Sequence, residues 1–189
     1  MSKQDNPWRT LGTRPVYDNP WISVREDDVI NPGGGRGIYG VVEFKGLAIG
    51  IIPVDPQRHT WLVGQYRYAI DEYSWEIPMG GSPLGDDPLD GARRELREET
   101  GLVARNWQYL MKVHTSNSVT NESGHVFLAT GLSAGKATPD ETEDLAIRRL
   151  PLDEAFEMAA DGSITDCITL AALLRLQNDI LMNRYDLPL

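Results

Sequence analysis

Hydrophobic positions change period several times along the chain, and the changes mark out its elements. Residues 21–29 and 36–45 read as strands on either side of Asn31-Pro32-Gly33-Gly34-Gly35, a turn cluster that predicts a hairpin with a loop. Residues 47–54, 60–67, 107–113, 124–130 and 145–150 predict further strands. Residues 87–100, 152–160 and about 166–182 carry the period and the end signals of helices. Residues 1–20 are polar and proline-bearing, which predicts a loose arm that becomes ordered only by packing on something, as Trp8 and Trp21 hint. Strands mixed with a few helices predict an α+β chain whose mixed sheet is covered on both faces. The expected division is a small N-terminal β unit over 1–45 and a main domain over 46–189.

Composition narrows the class. A chain of 189 residues, 41% hydrophobic and 24% charged, can bury one sizeable core. A formal charge of −10 argues against general binding to nucleic acid or to an anionic membrane, since either would repel it. The single cysteine, Cys167, cannot form an internal disulfide; it sits in an apolar helical run, where burial is expected, and a reducing cytoplasm is the natural setting. The N-terminus lacks an apolar signal core, and no run approaches the ~20 apolar residues of a membrane span. His59, His114 and His125 show no metal-ligand spacing. No Ser-His-Asp set, zinc-type cysteine set or dinucleotide glycine fingerprint is present, and Gly33-Gly34-Gly35 is explained by the hairpin.

The most chemical segment is the helix over 87–100. Asp87 is placed to cap it, Pro88 to open it, Asp90 to complement its first turn and Gly101 to end it. Leu89, Ala92 and Leu96 form one stripe, and Glu95, Glu98 and Glu99 fall on the adjoining one at i, i+3 and i+4. Like charges at that spacing call for a positive partner, and a hard divalent cation suits them best. Arg94 is placed to brace a carboxylate on that stripe.

Gly80, Asp86 and the run Arg94-Glu95-Leu96-Arg97-Glu98-Glu99-Thr100-Gly101-Leu102 resemble the Nudix box, G-x5-E-x7-R-E-U-x-E-E-x-G-U, with Asp86 where the family usually has Glu. The resemblance sharpens the fold to an α/β/α sandwich and implies two or three Mg²⁺ ions (Mn²⁺ being possible) held by Glu95, Glu99, the Met79 carbonyl and Glu98 or Glu143. Val63 to Ala69 and Ser74 to Gly80 resemble the ADP-ribose and nucleoside diphosphate sugar pyrophosphatase branch. There an arginine matching Arg67 contacts substrate, and Glu76 is a companion candidate. The plainer reading of Arg67 is an ion pair at a strand end. Tyr66, Tyr68, Tyr73 and Trp75 could stack a base, although aromatics at strand positions are more often core.

In the same branch an acidic loop matching Pro139 to Leu145 supplies a base, here Glu141, and a further ligand, here Glu143, with the two roles exchangeable. Glu122 follows a substrate-side loop, where a turn role competes with sugar contact. The N-terminal β unit of the branch commonly exchanges contacts with a second subunit, which implies a homodimer and makes Trp21 and Tyr39 candidate base contacts. The implied reaction is hydrolysis of ADP-ribose or a related nucleoside diphosphate sugar to a nucleoside monophosphate and a sugar phosphate. The alternatives are GDP-mannose or a dinucleoside polyphosphate as substrate, or a catalytically silent module that binds nucleotide sugars. A DNA-binding regulator would need a helical pair and a basic patch, and neither is found.

Overall fold

The computed structural model describes residues 5–135 and 145–185. Its elements are β1 (Arg9–Asp18), β2 (Ile22–Ile30), β3 (Arg36–Phe44), β4 (Gly46–Pro53), β5 (His59–Arg67), β6 (Glu72–Glu76) and β7 (Met79–Pro83). There follow α1 (Pro88–Thr100), β8 (Leu102–His114), β9 (Ser123–Ala134), β10 (Ala146–Pro151), α2 (Leu152–Asp161) and α3 (Cys167–Leu181). They form two compact units, one on residues up to 46 with 114–122, the other on 47–113 and from 123 onward.

The first unit is an antiparallel sheet in the order β1-β2-β3. The expected hairpin is present: β2 and β3 pair from Ile22 opposite Phe44 to Ile30 opposite Arg36. Asn31 shapes its turn, with Oδ1 accepting from the amides of Gly33 and Gly35, each at 3.0 Å. The other edge of β3 is occupied by the segment from Ser116 to Asn121, through Val42 N–H to the Val119 carbonyl at 2.9 Å. The loose arm expected over 1–20 is corrected, because Arg9–Asp18 is a strand paired with β2. Every residue of β1 is exposed, so no apolar alternation announced it, and Pro15 is accommodated at a register shift on an edge strand.

In the second unit, the sheet order is β7-β4-β9-β8, with β4 and β9 parallel from Ala48 opposite Gly124 to Pro53 opposite Ala129. Parallel strands covered on both faces read as continuous apolar runs, which is why 47–54 and 124–130 lack alternation. On one face Ile49, Ile51, Phe127 and Ala129 pack with Ala92 and Leu96 of α1. On the other, Ile52, Val54, Val126 and Leu128 pack with Phe156 of α2 and Leu173 and Leu176 of α3. This is the helix, sheet, helix layering expected. The second sheet, β10-β5-β6, is antiparallel and adds Leu62 and Leu150 to the same core.

Three local differences from the sequence reading have physical reasons. Strands β6 and β7 carry few aliphatic residues, and β7 contains Gly80 and Gly81, so neither has a strand-like pattern. Strand β8 begins at Leu102, directly after the helix stop, well before the apolar run at 107–113. Cys167 is exposed where burial was expected: it is the first helical residue after the Asp166 cap, and the buried face of α3 starts at Ile168. Among the described residues no helix is long and apolar enough to cross a membrane.

One buried carboxylate secures the end of α3. Asp179 is 1% exposed and accepts from Arg175 Nε at 2.6 Å and Arg184 Nη1 at 3.0 Å. Hydrogen bonding to Arg175, then to Arg184, holds its carboxyl below the usual aspartate range. A depressed folded-state pKa stabilises above the unfolded value, about 3.9, and that contribution disappears as pH falls through the folded value. Asp179→Asn should therefore lower the Tm at pH 7, and thermal scans should show the gap from wild type narrowing only below about pH 4. A gap that is constant with pH would contradict this role.

Candidate active site

Helix α1 carries the acids, and its ends are fixed locally. Asp87 accepts from Leu89 N–H at 2.9 Å, Pro88 begins the helix, and Gly101 ends it in the left-handed conformation at φ 70°. The helix buries Gly91, Ala92, Glu95, Leu96 and Glu99. The three glutamates are thus divided. Glu95 and Glu99 lie on the packed face at 7% and 2% exposure, whereas Glu98 is half-buried at its rim. Asp86 is exposed in the turn before the helix.

Two carboxyl groups on a packed face are tolerable only with hydrogen bonds and opposite charge around them. Strand β7 and Arg94 supply both. Glu99 Oε2 accepts from the Met79 amide at 2.9 Å. Arg94 donates to Glu98 Oε2 at 2.9 Å, lies 2.7 Å from Glu95 Oε1, and also donates to the Gly81 carbonyl. Burial pulls the Arg94 pKa down, but Glu95 and Glu98 outweigh it, and the guanidinium stays above its ordinary value. The bracing role expected of Arg94 is therefore seen in its contacts. Gly80 makes the arrangement possible, because a Cβ there would overlap the Glu95 carboxylate.

Beside these acids stands a second ion pair. Arg67, at the end of β5, donates through Nε to Glu76 Oε1 at 2.8 Å and through Nη2 to Oε2. Its side chain is 40% exposed, that of Glu76 only 4%. The Glu76 hydrogen bonds raise the Arg67 pKa most, with further contributions from the charges of Asp166 and Glu99. Two neighbours escaped the sequence reading. Thr169, fully buried, accepts from the Ile77 amide at 3.1 Å and so ties α3 to the chain just before Met79. Asp166 caps α3 by accepting from Thr169 N–H at 2.7 Å, and an Asp at a helix start was the only signal available. Tyr66, Tyr68 and Tyr73 are exposed, against the expectation of core positions.

Trp21, in the N-terminal unit, is 74% exposed. In the same unit Glu122 accepts from the Thr115 hydroxyl at 2.5 Å, as a turn residue would, and the Tyr39 hydroxyl donates to the Ser118 carbonyl at 2.6 Å. Glu141 and Glu143 lie outside the described residues. Burial, with the charge of Lys112, lowers the His125 pKa.

Glu95, Glu98, Glu99 and the backbone at Met79 are all hard oxygen donors, the chemistry of a Mg²⁺ or Mn²⁺ site rather than a zinc site. Gly80 leaves the Glu95 carboxylate room that a side chain would fill. The residues therefore fit a hard divalent cation. Among the described residues no three His, Cys, Asp or Glu side chains are already gathered for an ion, and Arg94 takes up Glu95 and Glu98 instead.

Comparison with known proteins agrees with this geometry. Residues 8–42 match the model of the nucleoside diphosphate sugar hydrolase N-terminal domain, and residues 44–167 match that of the NUDIX domain. An ADP-ribose pyrophosphatase of Mycobacterium tuberculosis is 34% identical over 173 residues, covering 90% of this chain and 83% of the relative. A CMP-5'-(N-acetyl-N-hydroxy-3-aminopropyl)phosphonate hydrolase of Streptomyces rubellomurinus is 31% identical over 167 residues, covering 88% and 81%. The crystal structure of an ADP compounds hydrolase superposes with a TM-score of 0.85 at 22% identity, covering 96% of this chain and 98% of the other. The Gly80-to-Leu102 segment, the buried acids of α1 and the match over residues 44–167 lead to one conclusion: the chain belongs to the Nudix family.

Proposed function

We propose that this protein is a Mg²⁺-dependent pyrophosphohydrolase that cleaves the diphosphate of ADP-ribose or a related nucleoside diphosphate sugar. ADP-ribose and water would give AMP and ribose 5-phosphate. The observation that carries the reading is the pair Glu95 and Glu99, buried on the packed face of α1, with Gly80 leaving space for the Glu95 carboxylate. The match of residues 8–42 to an N-terminal domain named for nucleoside diphosphate sugar hydrolases, and the relative that is an ADP-ribose pyrophosphatase, support the substrate class.

A diphosphate resists attack because its oxygens repel nucleophiles. A divalent cation, when bound, supplies neutralisation of that charge and acidifies water. Glu95, Glu99, the Met79 carbonyl and Glu98 or Glu143 would hold it. Arg94 keeps Glu95 and Glu98 in place and shields them from each other. Arg67 offers a planar fork to phosphate oxygens, which an acidic chain otherwise repels. Glu141 would take the proton from the attacking water, by resemblance to the pyrophosphatase branch. A homodimer fits the N-terminal unit, where Leu11, Val16, Tyr17, Trp21 and Ile38 are all exposed.

Three results test the reading. With Mg²⁺ present, chromatography should find AMP and ribose 5-phosphate from ADP-ribose; intact ADP-ribose, GDP-mannose and other sugar nucleotides after long incubation would sink it. Glu99→Gln should lower kcat by at least about a hundredfold with weakened Mg²⁺ binding, as expected for loss of a charged stabilising group. Glu141→Gln should lower kcat by roughly 10²–10⁴ with Mg²⁺ titrating as in wild type.

Gly80→Ala should push the Glu95 carboxylate from its place and cut kcat/KM by about a hundredfold, the order expected for a misplacement of about 1 Å. Its circular dichroism should remain that of a folded protein. Near-wild-type activity would show that Glu95 is not needed there. Light scattering at assay concentration should report a dimer, and an active monomer would refute the shared assembly.

A further inference from the structure

We propose that Glu76 is a positioning residue, which serves the reaction by holding the Arg67 guanidinium in one orientation rather than by touching substrate. This rests on the reading of Arg67 as a phosphate-facing group. Both Glu76 oxygens are engaged by Arg67, one by Nε at 2.8 Å and the other by Nη2. At 4% side-chain exposure, Glu76 offers little to a solute, whereas Arg67 is 40% exposed. Of the five N–H groups of a guanidinium the clamp uses two, and the second N–H of Nη2 and both N–H groups of Nη1 are not taken by Glu76.

Strand register shows that this pairing is directed. Arg67 lies opposite Glu72 in the β5–β6 ladder, and Glu76 lies four residues further on, opposite Val63. Arg67 pairs with Glu76 instead of taking the acid directly across from it. The guanidinium consequently lies along the sheet toward the end of β6, close to where β7 begins at Met79. The charge of Glu99, a group of the acidic helix, already reaches it there. A buried ion pair is weak evidence for stability, since apolar residues of similar volume often serve as well. Orientation gives a reason for charge at this position: an arginine side chain has many rotamers, and a bidentate clamp fixes the plane of the fork before phosphate arrives.

The test is a double-mutant cycle on KM for ADP-ribose, read beside the Arg67 Nε–H resonance in ¹⁵N spectra, assigned by its loss in Arg67→Lys. In wild type that proton should exchange slowly, and in Glu76→Gln its protection should be lost. Glu76→Gln should raise KM roughly tenfold, the order expected for losing hydrogen bonds between charged groups, with kcat within about twofold and Mg²⁺ affinity unchanged. In an Arg67→Ala background the same change should move KM by less than about twofold, because the group it acts through is gone. Arg67→Ala alone strands a buried carboxylate and risks unfolding, so the doubly substituted protein, which removes both charges, should melt above it.

Additive effects on KM would show that Glu76 contacts substrate itself and overturn the proposal. So would unchanged KM in Glu76→Gln once Nε–H protection is lost. Failure of the functional reading is distinguishable: wild-type protein would neither consume ADP-ribose nor shift the Arg67 resonance on addition of Mg²⁺ and inorganic pyrophosphate, and that result would overturn both.

Discussion

Glu95 and Glu99 occupy the face of α1 that packs against the sheet, where ionised carboxylates are costly unless hydrogen bonds and positive charge surround them. Much of the surrounding architecture answers that constraint. Gly80 has no side chain because the Glu95 carboxylate takes its space. The Met79 amide is turned to Glu99, and Arg94 spans Glu95, Glu98 and the Gly81 carbonyl. Thr169 steadies the backbone leading into Met79 from the opposite helical layer. A helix, an edge strand and a helix start thus surround two carboxylates, whose oxygens are of the hard kind that divalent cations favour.

The layers were legible because their causes are local and periodic. Asp87, Pro88 and Gly101 announce α1, and the structure realises each as a cap, a first turn and a left-handed stop. The apolar runs of β4 and β9 carry the mark of strands covered on both faces. What escaped was set by tertiary partners. Every residue of β1 is exposed, so its strand exists through backbone pairing with β2 and leaves no hydrophobic trace. Cys167 looked buried from its apolar neighbours, yet it belongs to the first turn and faces out.

The site was legible in kind more than in arrangement. Spacing placed the three glutamates on one stripe, but packing decided that Glu95 and Glu99 would be buried and Glu98 would lie at the rim. A sequence gives no sign that Arg67 bypasses Glu72 for Glu76, because the choice depends on where the two strands lead. Nor does it show Thr169 bonded to Ile77, 92 positions apart. The reaction type follows from the acids and their spacing. The relatives include both an ADP-ribose pyrophosphatase and a CMP-phosphonate hydrolase.

If the buried pair on α1 is built for a hard divalent cation, Glu95 and Glu99 should ligate one together. Anomalous scattering from crystals of the whole protein grown with Mn²⁺ tests it most directly. A manganese peak bonded to carboxylate oxygens of both Glu95 and Glu99 is expected, with Arg94 still bracing the helix. A peak bound elsewhere, with neither Glu95 nor Glu99 ligating the ion in an active enzyme, would contradict it.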